Sequence, residues 1–418
     1  MRIAVWHNLP SGGAKRALYD HVRGLVARGH TLESWSPPTA DPTYLPLNEF
    51  IPEHVVPAEP YTNGWRRKAG DVFGLRTFNM RRITELDEYA QRCAEEINAR
   101  DFDLLFANTS LNIAVSPIGR YVRIPGVLYL QEPSRWLYEA QPTLVWAGNQ
   151  QSAERSAWTP AALYGSLRAA LWLRGFRFQA RAEWLNMRGF RRILVNSRFS
   201  RETVLRTYGL DAKVCYLGVN TEKFVRRHLP KEDYVIGVGA IAPRKNVRLV
   251  IEAVACLAPP RPRVLWIGDV SDPEHLAELE ELAHASEVDF KTGVRLDDDA
   301  LIDSLNRALM MVYTPRLEPF GFAPLEANAC GLPVVAVAEG GVRETIQDGV
   351  NGLLVEHDPQ AVADAIEYLR NNPEEASRMG QTGAGLVAER WSVAAAVDRL
   401  EQNLQTVLNE SRTSKTKL

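Results

Sequence analysis

Short apolar segments rich in β-branched residues alternate with longer amphipathic patterns, and this alternation limits the possible folds more than any other feature. Strand-like segments lie at residues 2–6, 104–107, 127–130, 193–195, 214–217, 235–238, 264–267, 288–291, 310–313 and 334–337. Helical periodicity separates many of them, for example at residues 247–255 and 273–285. The alternation predicts parallel sheets built from βαβ units. Because the pattern restarts near residue 232, we expect two doubly wound α/β domains.

Composition excludes several other classes of protein. The 418 residues include 49 basic and 51 acidic side chains, which argues against a chain coated in positive charge for nucleic acid. The four cysteines lie far apart, so a disulfide framework or a zinc knuckle is not expected and a reducing cytoplasm fits best. Neither a targeting segment nor an apolar run of about 18 residues is visible. We therefore expect a cytoplasmic chain, at most peripheral on the inner face of the plasma membrane.

Two stretches interrupt the alternation. Residues 37–64 contain seven prolines, which predicts a long loop or an insertion. Residues 165–195 contain seven arginines against one acid, Glu183, and these are interleaved with Trp172 and Trp184. The stretch is either a solvated pair of surface helices or a basic amphipathic face that rests on an anionic membrane surface. Binding to liposomes would distinguish these two interpretations.

The segment from residue 313 to residue 341 carries the strongest functional signal. A buried strand ends near Thr314, and a turn that contains glycine leads into a helix that starts near Ala323. Ligands of open α/β sheets bind at the carboxyl ends of the strands, and a helix start offers N–H groups suited to phosphate. Glu318 in the turn and Glu326 in the helix flank this place. The alternative is that Glu326 only complements the helix dipole and Glu318 is a solvated loop acid.

Residues 318–336, the following Gly340-Gly341-x-x-Glu344 and residues 348–354 resemble the Glu-x7-Glu motif of a large family of retaining glycosyltransferases. This family, of the glycosyltransferase family four type, includes bacterial mannosyl- and glucosyltransferases. The resemblance implies a GT-B fold, in which two Rossmann-like domains face each other across a cleft. By this resemblance, residues 1–231 form the acceptor-side domain and residues 232–395 form the domain that binds the nucleotide sugar. A final helix, residues 396–418, would complete the first domain.

The same resemblance implies roles for individual residues in the second domain. Glu326 would accept hydrogen bonds from the ribose hydroxyls of the nucleotide, and Glu318 would lie against the sugar ring. The backbone of Phe320, Gly321 and Phe322 would hold the sugar and the phosphate. The nucleotide base would pack beside two further residues, Val294 and Arg295.

A basic pair follows the first strand of the second domain. Lys245 matches the lysine that neutralises the departing diphosphate in the family. The family often has arginine where this chain has Ala240, and Arg244 is a candidate for supplying the missing charge. Leaving-group stabilisation is largely electrostatic, so these cations matter for the rate. The alternative is an exposed basic pair that caps a turn.

The first domain departs from the family pattern at two places. Gly12 and Gly13 follow the first strand, let the backbone approach a phosphate or an acceptor, and are assigned to donor binding. A plain tight turn is the alternative, and Lys15 replaces the usual acid. Gln131 stands where a histidine commonly faces the reacting sugar, and it can donate or accept hydrogen bonds without carrying a charge. Arg135 is a candidate contact for an anionic acceptor. We assign Gln131 and Arg135 to the acceptor side.

The triplet Asp297-Asp298-Asp299 predicts a cap of the following helix rather than a metal site. We therefore expect no metal and no cofactor, with a nucleotide-diphosphate sugar as co-substrate. The expected reaction is retaining transfer of a hexose from a GDP-mannose or UDP-glucose type of donor to a hydroxyl of a glycan or a lipid-linked acceptor. Two alternatives remain: a catalytically weakened GT-B protein that binds a sugar nucleotide or a partner transferase, and a sugar-nucleotide epimerase of the same fold.

Overall fold

A computed structural model describes residues 1–57, 78–110, 113–138, 160–270, 272–294 and 296–416 of the chain. The chain divides into two compact units. The first comprises Met1–Asn196, Ser200–Cys215 and Val397–Leu418, and the second comprises Ser197–Phe199 and Tyr216–Ala396. The main division therefore falls after Cys215, earlier in the chain than the predicted boundary after residue 231.

Residues 216–231 belong to the second unit because their polar groups bond to it. The backbone N–H of Arg227 donates to Asn306 Oδ1 at 2.6 Å, and its guanidinium contacts Asp303 at 2.7 Å. Lys231 Nζ donates to the carbonyl oxygen of Ala308 at 2.8 Å. The polar composition of residues 228–233 predicts a linker between the domains. In the structure these residues are instead part of the second unit.

The first unit contains a seven-stranded sheet in the order β3-β2-β1-β4-β5-β6-β7, and all its pairs are parallel. The strands are β1 Arg2–Asn8, β2 Thr31–Ser36, β3 Glu53–Val55, β4 Leu104–Ser110, β5 Gly126–Tyr129, β6 Arg192–Val195 and β7 Lys213–Val214. The helices along this part of the chain are α1 Gly13–Ala27, α2 Phe78–Asn98, α3 Arg135–Tyr138, α4 Pro160–Met187 and α5 Arg198–Tyr208.

The second unit contains a six-stranded parallel sheet in the order β10-β9-β8-β11-β12-β13. Its strands are β8 Tyr234–Val238, β9 Arg263–Ile267, β10 Phe290–Gly293, β11 Met310–Tyr313, β12 Val334–Val337 and β13 Gly352–Val355. Its helices are α6 Val247–Cys256, α7 Pro273–Ala285, α8 Asp298–Arg307, α9 Phe322–Ala329, α10 Val342–Thr345, α11 Pro359–Asn371 and α12 Pro373–Arg390. Helix α13, Val393–Thr416, begins in this unit and continues into the first.

The central strands of the second sheet are buried and apolar, as expected of parallel strands covered on both faces. Val235, Val312 and Val335 are at most 1% exposed and belong to one hydrophobic cluster with side chains of α6 and α11. The strand order reverses between β8 and β11, and in the first sheet it reverses between β1 and β4. Such reversals are the places where ligands of open α/β sheets bind, at the carboxyl ends of the strands.

The fold confirms the two parallel α/β sheets and corrects several details. The proline-rich stretch 37–64 contains strand β3, and the arginine-rich stretch forms one helix of 28 residues, α4, rather than a pair. The polar tail remains helical as far as Thr416. Strand β2 was missed because polar residues interrupt its apolar pattern, and β3 because it has only three residues. Strand β13 was also missed, and the strands predicted at 214–217 and 288–291 are found as β7 at 213–214 and β10 at 290–293.

Candidate functional site

Lys245 and Glu318 meet at the strand reversal of the second unit. Lys245 Nζ donates to Glu318 Oε2 at 2.9 Å, and the side chains are 12% and 20% exposed. The two residues follow β8 and β11, the strands between which the order reverses. The pair therefore lies at the carboxyl edge of the sheet and is accessible to a ligand.

The backbone around Lys245 is held by the end of β11. Residues Pro243–Lys245 form a short 3-10 turn, and Asn246 after it has a left-handed φ of 54°. The hydroxyl of Thr314, which is fully buried, donates to the carbonyl oxygens of Lys245 at 3.2 Å and Asn246 at 3.0 Å. These bonds tie the basic turn to the strand that leads to Glu318.

Glu318 is positioned by the glycine pair that the family motif contains. The N–H of Gly341 donates to the carbonyl oxygen of Glu318 at 2.8 Å. A Cβ at Gly340 would come within 2.4 Å of that oxygen, and one at Gly341 would come within 2.0 Å of the carbonyl oxygen of Pro319. Only glycine permits this close approach of the two loops.

Helix α9 starts beside Glu318 without a side-chain cap. Gly321 stands at its N-cap with a φ of 87°, and a Cβ there would lie 3.0 Å from the hydroxyl of Tyr313. The first turn of the helix therefore offers N–H groups and a positive dipole end to an anion. Phe320, before the helix, is 3% exposed, and Glu326, within it, is 4% exposed.

Glu344, also part of the motif, binds protein groups. It accepts hydrogen bonds from the N–H groups of Arg198 at 2.9 Å and Phe199 at 3.1 Å, and from the Tyr216 hydroxyl at 2.8 Å. Burial and the Glu344 carboxylate raise the pKa of Tyr216 to about 12. Glu344 thus fixes the start of α5 within the second unit.

The remaining predicted residues of the second unit lie at its surface or outside the described residues. Arg244 is exposed and, within the part of the chain that the structure describes, its side chain forms no ion pair. Its carbonyl oxygen accepts a hydrogen bond from the N–H of Arg316 at 3.2 Å. Val294 is 44% exposed, and Arg295 lies outside the described residues. The structure thus brings Lys245, but not Arg244, into contact with Glu318.

The glycine loop of the first unit leads to a buried charged cluster that sequence reasoning missed. Gly12, with a φ of 136°, precedes α1, which starts at Gly13 without a side-chain cap. Lys15 is only 1% exposed; burial lowers its pKa, and the charges of Glu53 and Asp41 oppose this shift. Sequence reasoning noted Lys15 only as a departure from the family, because its partner Glu53 lies in a stretch predicted to be a loop.

His7 belongs to the same cluster. It is completely buried at the end of β1, and its Nε2 lies 3.4 Å from Glu53 Oε1. Burial lowers the pKa of His7, and the nearby ammonium of Lys15 lowers it further, against the opposing effect of Glu53. The cluster therefore combines a buried imidazole with the carboxylate of Glu53 and the ammonium of Lys15.

Gln131 and Arg135 are both bonded within the first unit. Gln131 Oε1 accepts a hydrogen bond from Asn196 at 3.1 Å, and its carbonyl oxygen accepts one from Ser200 at 3.2 Å. Arg135 forms an ion pair with Glu132, and its side chain is 16% exposed. A ligand that uses Arg135 would have to compete with this carboxylate.

The aspartate triplet caps α8, as predicted. Asp297 accepts a hydrogen bond from the N–H of Ala300 at 2.8 Å, and Asp299 pairs with Arg227 at 2.6 Å. Among the described residues there is no group of three His, Cys, Asp or Glu side chains that could hold a metal ion. A search of the described helices finds none that is both long and apolar enough to cross a membrane.

Solved structures with the same fold cover nearly the whole chain. Sucrose-phosphate synthase from Thermosynechococcus elongatus matches with a TM-score of 0.70 and 19% identity, over 98% of this chain and 99% of that one. HepE from Anabaena, solved in complex with UDP-glucose, matches with a TM-score of 0.68 and 19% identity, over 97% of this chain and 100% of that one. The fold is thus the GT-B arrangement of two parallel α/β domains.

Two family models match almost all of both units. The model "Glycosyltransferase Family 4" matches residues 11–223, just over half of the chain, and "Glycosyl transferases group 1" matches residues 219–385. The chain therefore belongs to glycosyltransferase family 4, as the motif resemblance indicates.

Curated relatives match over part of their length. The human alpha-1,3/1,6-mannosyltransferase ALG2 is 29% identical over 52% of this chain and 58% of its own length. The D-inositol 3-phosphate glycosyltransferase of Streptomyces bingchenggensis is 31% identical over 49% of this chain and 51% of its own length. The chain thus spans between half and three fifths of the length of these relatives.

Proposed function

We propose that the chain is a retaining glycosyltransferase that moves a hexose from a nucleotide-diphosphate sugar to a hydroxyl of a glycan or lipid-linked acceptor. The observation that carries the proposal is the Lys245–Glu318 pair, 2.9 Å apart, beside the uncapped start of α9. Membership of glycosyltransferase family 4 supports transfer chemistry. The HepE structures with UDP and with UDP-glucose support the class of donor.

The diphosphate leaves as the bond between the anomeric carbon and its oxygen breaks. The ammonium of Lys245 and the first N–H groups of α9 stabilise the charge that develops on the leaving phosphate. The acceptor hydroxyl attacks the same face of the sugar, and its proton passes to the leaving phosphate. Glu318 orients Lys245 and accepts hydrogen bonds from sugar hydroxyls.

Glu326 accepts hydrogen bonds from the ribose hydroxyls, and backbone groups near Val294 hold the base. A carboxylate suits this role because its hydrogen bonds with hydroxyls are charge-assisted. Because backbone groups would recognise the base, no side chain distinguishes guanine from uracil. Donors of the GDP-mannose type and of the UDP-glucose type are therefore both candidates.

We propose that the reaction needs no metal ion, because Lys245 and the start of α9 supply positive charge at the diphosphate. The test is transfer activity in EDTA, with and without added manganese or magnesium. Full activity in EDTA supports the proposal. Loss of activity that manganese restores contradicts it.

Helix α4 is the proposed contact with an anionic membrane surface on the acceptor side. The acid of this stretch, Glu183, is completely buried and accepts hydrogen bonds from Tyr208 at 2.9 Å and Ser134 at 2.9 Å. It therefore does not neutralise the exposed face, where Trp184 and Leu185 are 38% and 40% exposed. The exposed arginines of this stretch that the structure describes are Arg174, Arg177, Arg181, Arg188 and Arg191.

The membrane proposal is tested by sedimentation with liposomes that contain phosphatidylglycerol. Binding that disappears in neutral liposomes, and after Arg177→Ser together with Arg181→Ser, supports it. The control variant is Arg206→Ser, which removes an exposed arginine of α5 that pairs with Glu202. Equal binding to neutral and anionic liposomes contradicts the proposal.

The transfer proposal is tested first by a thermal-shift screen across nucleotide sugars, because a donor stabilises the native state by mass action. The stabilising donor is then supplied to the purified chain, and the products are analysed by NMR. A new α- or β-linkage that keeps the donor's anomeric configuration supports retaining transfer. Binding without turnover favours the weakened binding protein, for which Ala240 and Gln131 are the motivation, and an altered sugar nucleotide favours the epimerase.

A further inference from the structure

A pocket of about 330 Å³ lies in the second unit, away from Lys245 and Glu318. Leu309 and Pro333 line it, and these residues immediately precede strands β11 and β12. The pocket therefore lies at the amino-terminal edge of the sheet. The Lys245–Glu318 pair lies at the opposite, carboxyl edge, so the proposed transfer reaction does not use the pocket.

Four basic side chains line this pocket. They are Arg226, His228, Lys231 and Arg370, and no aspartate or glutamate is among the lining residues. Burial, together with the charge of Arg226, lowers the pKa of Lys231 to about 8. Arg226, His228 and Lys231 are exposed residues that line the same pocket, so an anion can reach them from solvent and positive charge there favours its binding.

Only part of this positive charge is compensated within the described chain. Arg370 pairs with Asp233 at 2.8 Å, and Lys231 donates to a carbonyl oxygen that carries no full charge. Arg226 forms no ion pair with any residue that the structure describes. A Cβ at Gly331 would lie 3.0 Å from Arg226 Cδ, so the glycine leaves space for the arginine stem at the pocket wall.

The start of helix α12 adds a further group of donors. Pro373, Ala376 and Ser377 of its first turns line the pocket. Asn372 stands at the N-cap, but its side chain donates to the carbonyl oxygen of Tyr368 instead of accepting from the helix. The first N–H groups of this 18-residue helix are therefore not capped by a side chain, and they favour a negative charge at the pocket. Glu374 and Glu375 also lie in the first turn, but neither lines the pocket.

Apolar side chains form the rest of the wall, among them Leu229, Leu309 and Leu369. These leucines offer an apolar surface beside the basic side chains. We propose that the pocket binds a small phosphate ester, with its phosphate between Arg226, Lys231 and the start of α12. The ester's apolar part packs against the leucines.

Calorimetric titration with phenyl phosphate and with inorganic phosphate tests this site. The parent protein carries Lys245→Ala, which weakens the phosphate signal of the proposed donor site. We expect one equivalent of phenyl phosphate to bind, more tightly than inorganic phosphate does because of the leucines. Arg226→Ser should weaken binding at least about tenfold, since it removes a charge-assisted contact.

Ser377→Glu provides a variant that removes no cation. Ser377 is exposed in the first turns of α12, where a carboxylate is compatible with the helix dipole. This variant should fold normally and should also weaken phenyl phosphate binding at least about tenfold, because the new charge repels the ligand. The control is Arg248→Ser, which removes an exposed arginine on α6.

Three results would overturn the proposal. They are the absence of phenyl phosphate binding to the parent protein, unchanged affinity in both Arg226→Ser and Ser377→Glu, and an equal loss in Arg248→Ser. Arg226 and Ser377 line the pocket and lie away from Lys245 and the start of α9, so a loss of affinity in these two variants reports on the pocket. Failure of the glycosyltransferase proposal would show instead in the donor screen and the transfer assay.

Discussion

In each sheet a lysine follows the first of the two strands between which the strand order reverses, but the two lysines have different surroundings. Lys15 follows β1 inside the first turn of α1 and is 1% exposed. Lys245 follows β8 in a 3-10 turn, and its side chain is 12% exposed and paired with Glu318 at 2.9 Å. Both sheets reverse their strand order at this point, so topology alone does not explain the difference.

The local backbone decides which lysine is open to a ligand. Helix α1 packs Lys15 into the first unit, where burial lowers its pKa. The short turn before α6 keeps Lys245 at the edge of the sheet, where its carboxylate partner can give way to a diphosphate. We therefore expect Lys245 to act on the reaction and Lys15 to act mainly on the structure of its own unit.

The largest expected effect comes from Lys245→Ala. Removing a preorganised cation from the leaving group should lower kcat by about 10²- to 10³-fold. Steady-state kinetics with the donor found in the screen measure this loss, and Arg248→Ala in the same unit is the control. A loss no greater than that of the control would remove the contrast between the two lysines.

A smaller effect is expected for Glu318→Ala, which leaves Lys245 without its partner. We expect kcat to fall by about 10- to 100-fold, within the range of a hydrogen bond to a charged group. The double variant with Lys245→Ala should lose less than the product of the two single losses, because the residues act as a pair. Fully multiplicative losses would show that the pair does not act as one unit.

Glu326→Ala should raise the donor KM about tenfold and change kcat little, because the ribose contacts persist from the bound donor to the transition state. Glu326→Gln keeps the side-chain shape without the charge and should give an intermediate KM. Initial rates across donor concentrations separate the two constants. A change confined to kcat would assign Glu326 to the reacting sugar instead.

Acid should destabilise the first unit through its buried histidines. Burial lowers the pKa of His21 to about 3, and that of His7 is lowered as well. Between pH 6.5 and the lowered pKa the unfolded chain binds a proton that the folded chain does not, so stability is lost as the pH falls. Through His21 alone, the free energy of unfolding falls by about 1.4 kcal/mol for each unit that the pH falls in this range.

Urea unfolding at about pH 7 and about pH 5 measures this slope. His21→Phe should flatten it, since the new ring can keep the contact that His21 makes with Tyr129, whose ring centroid lies 5.4 Å away. An unchanged slope in His21→Phe would assign the acid sensitivity to other groups.

The smallest functional effect is expected for Lys15→Met, which keeps the length of the side chain and removes a buried charge. We expect kcat and the donor KM to change by less than about twofold, or about 0.4 kcal/mol. The same kinetic assay as for Lys245→Ala measures both constants. A loss as large as that of Lys245→Ala would show that both lysines serve the reaction.

The sequence predicted the second unit better than the first. Residues 247–255 and 273–285 form helices α6 and α7 to within one residue of the predicted bounds, because apolar periodicity is a local signal. In the first unit β2 and β3 escaped prediction, since their short or polar sequences become strands only by pairing with β1 and with each other. The cluster of His7, Lys15 and Glu53 could not be predicted without β3.

The candidate site shows the same contrast between local sequence signals, which were predicted, and contacts distant in the sequence, which were not. The Glu318–Glu326 motif identified the glycosyltransferase resemblance, and the family models confirm it. The partner of Lys245 was not predicted, because Glu318 is 73 positions further along the chain. Arg244 was offered as a second cation, but its side chain is exposed, which only the conformation of the 3-10 turn determines.

The sequence by itself determined most strands and helices of the second unit, apart from β13, α10 and α12, and the loop that leads into α9. These depend on signals within about a dozen residues, such as hydrophobic period, helix caps and glycines at tight turns. The tertiary structure alone decided that Lys245 meets Glu318, that Lys15 is buried and that basic side chains surround a pocket at the opposite edge of the sheet. Burial and pairing of charges depend on packing between residues far apart in the chain, and no local pattern records that packing.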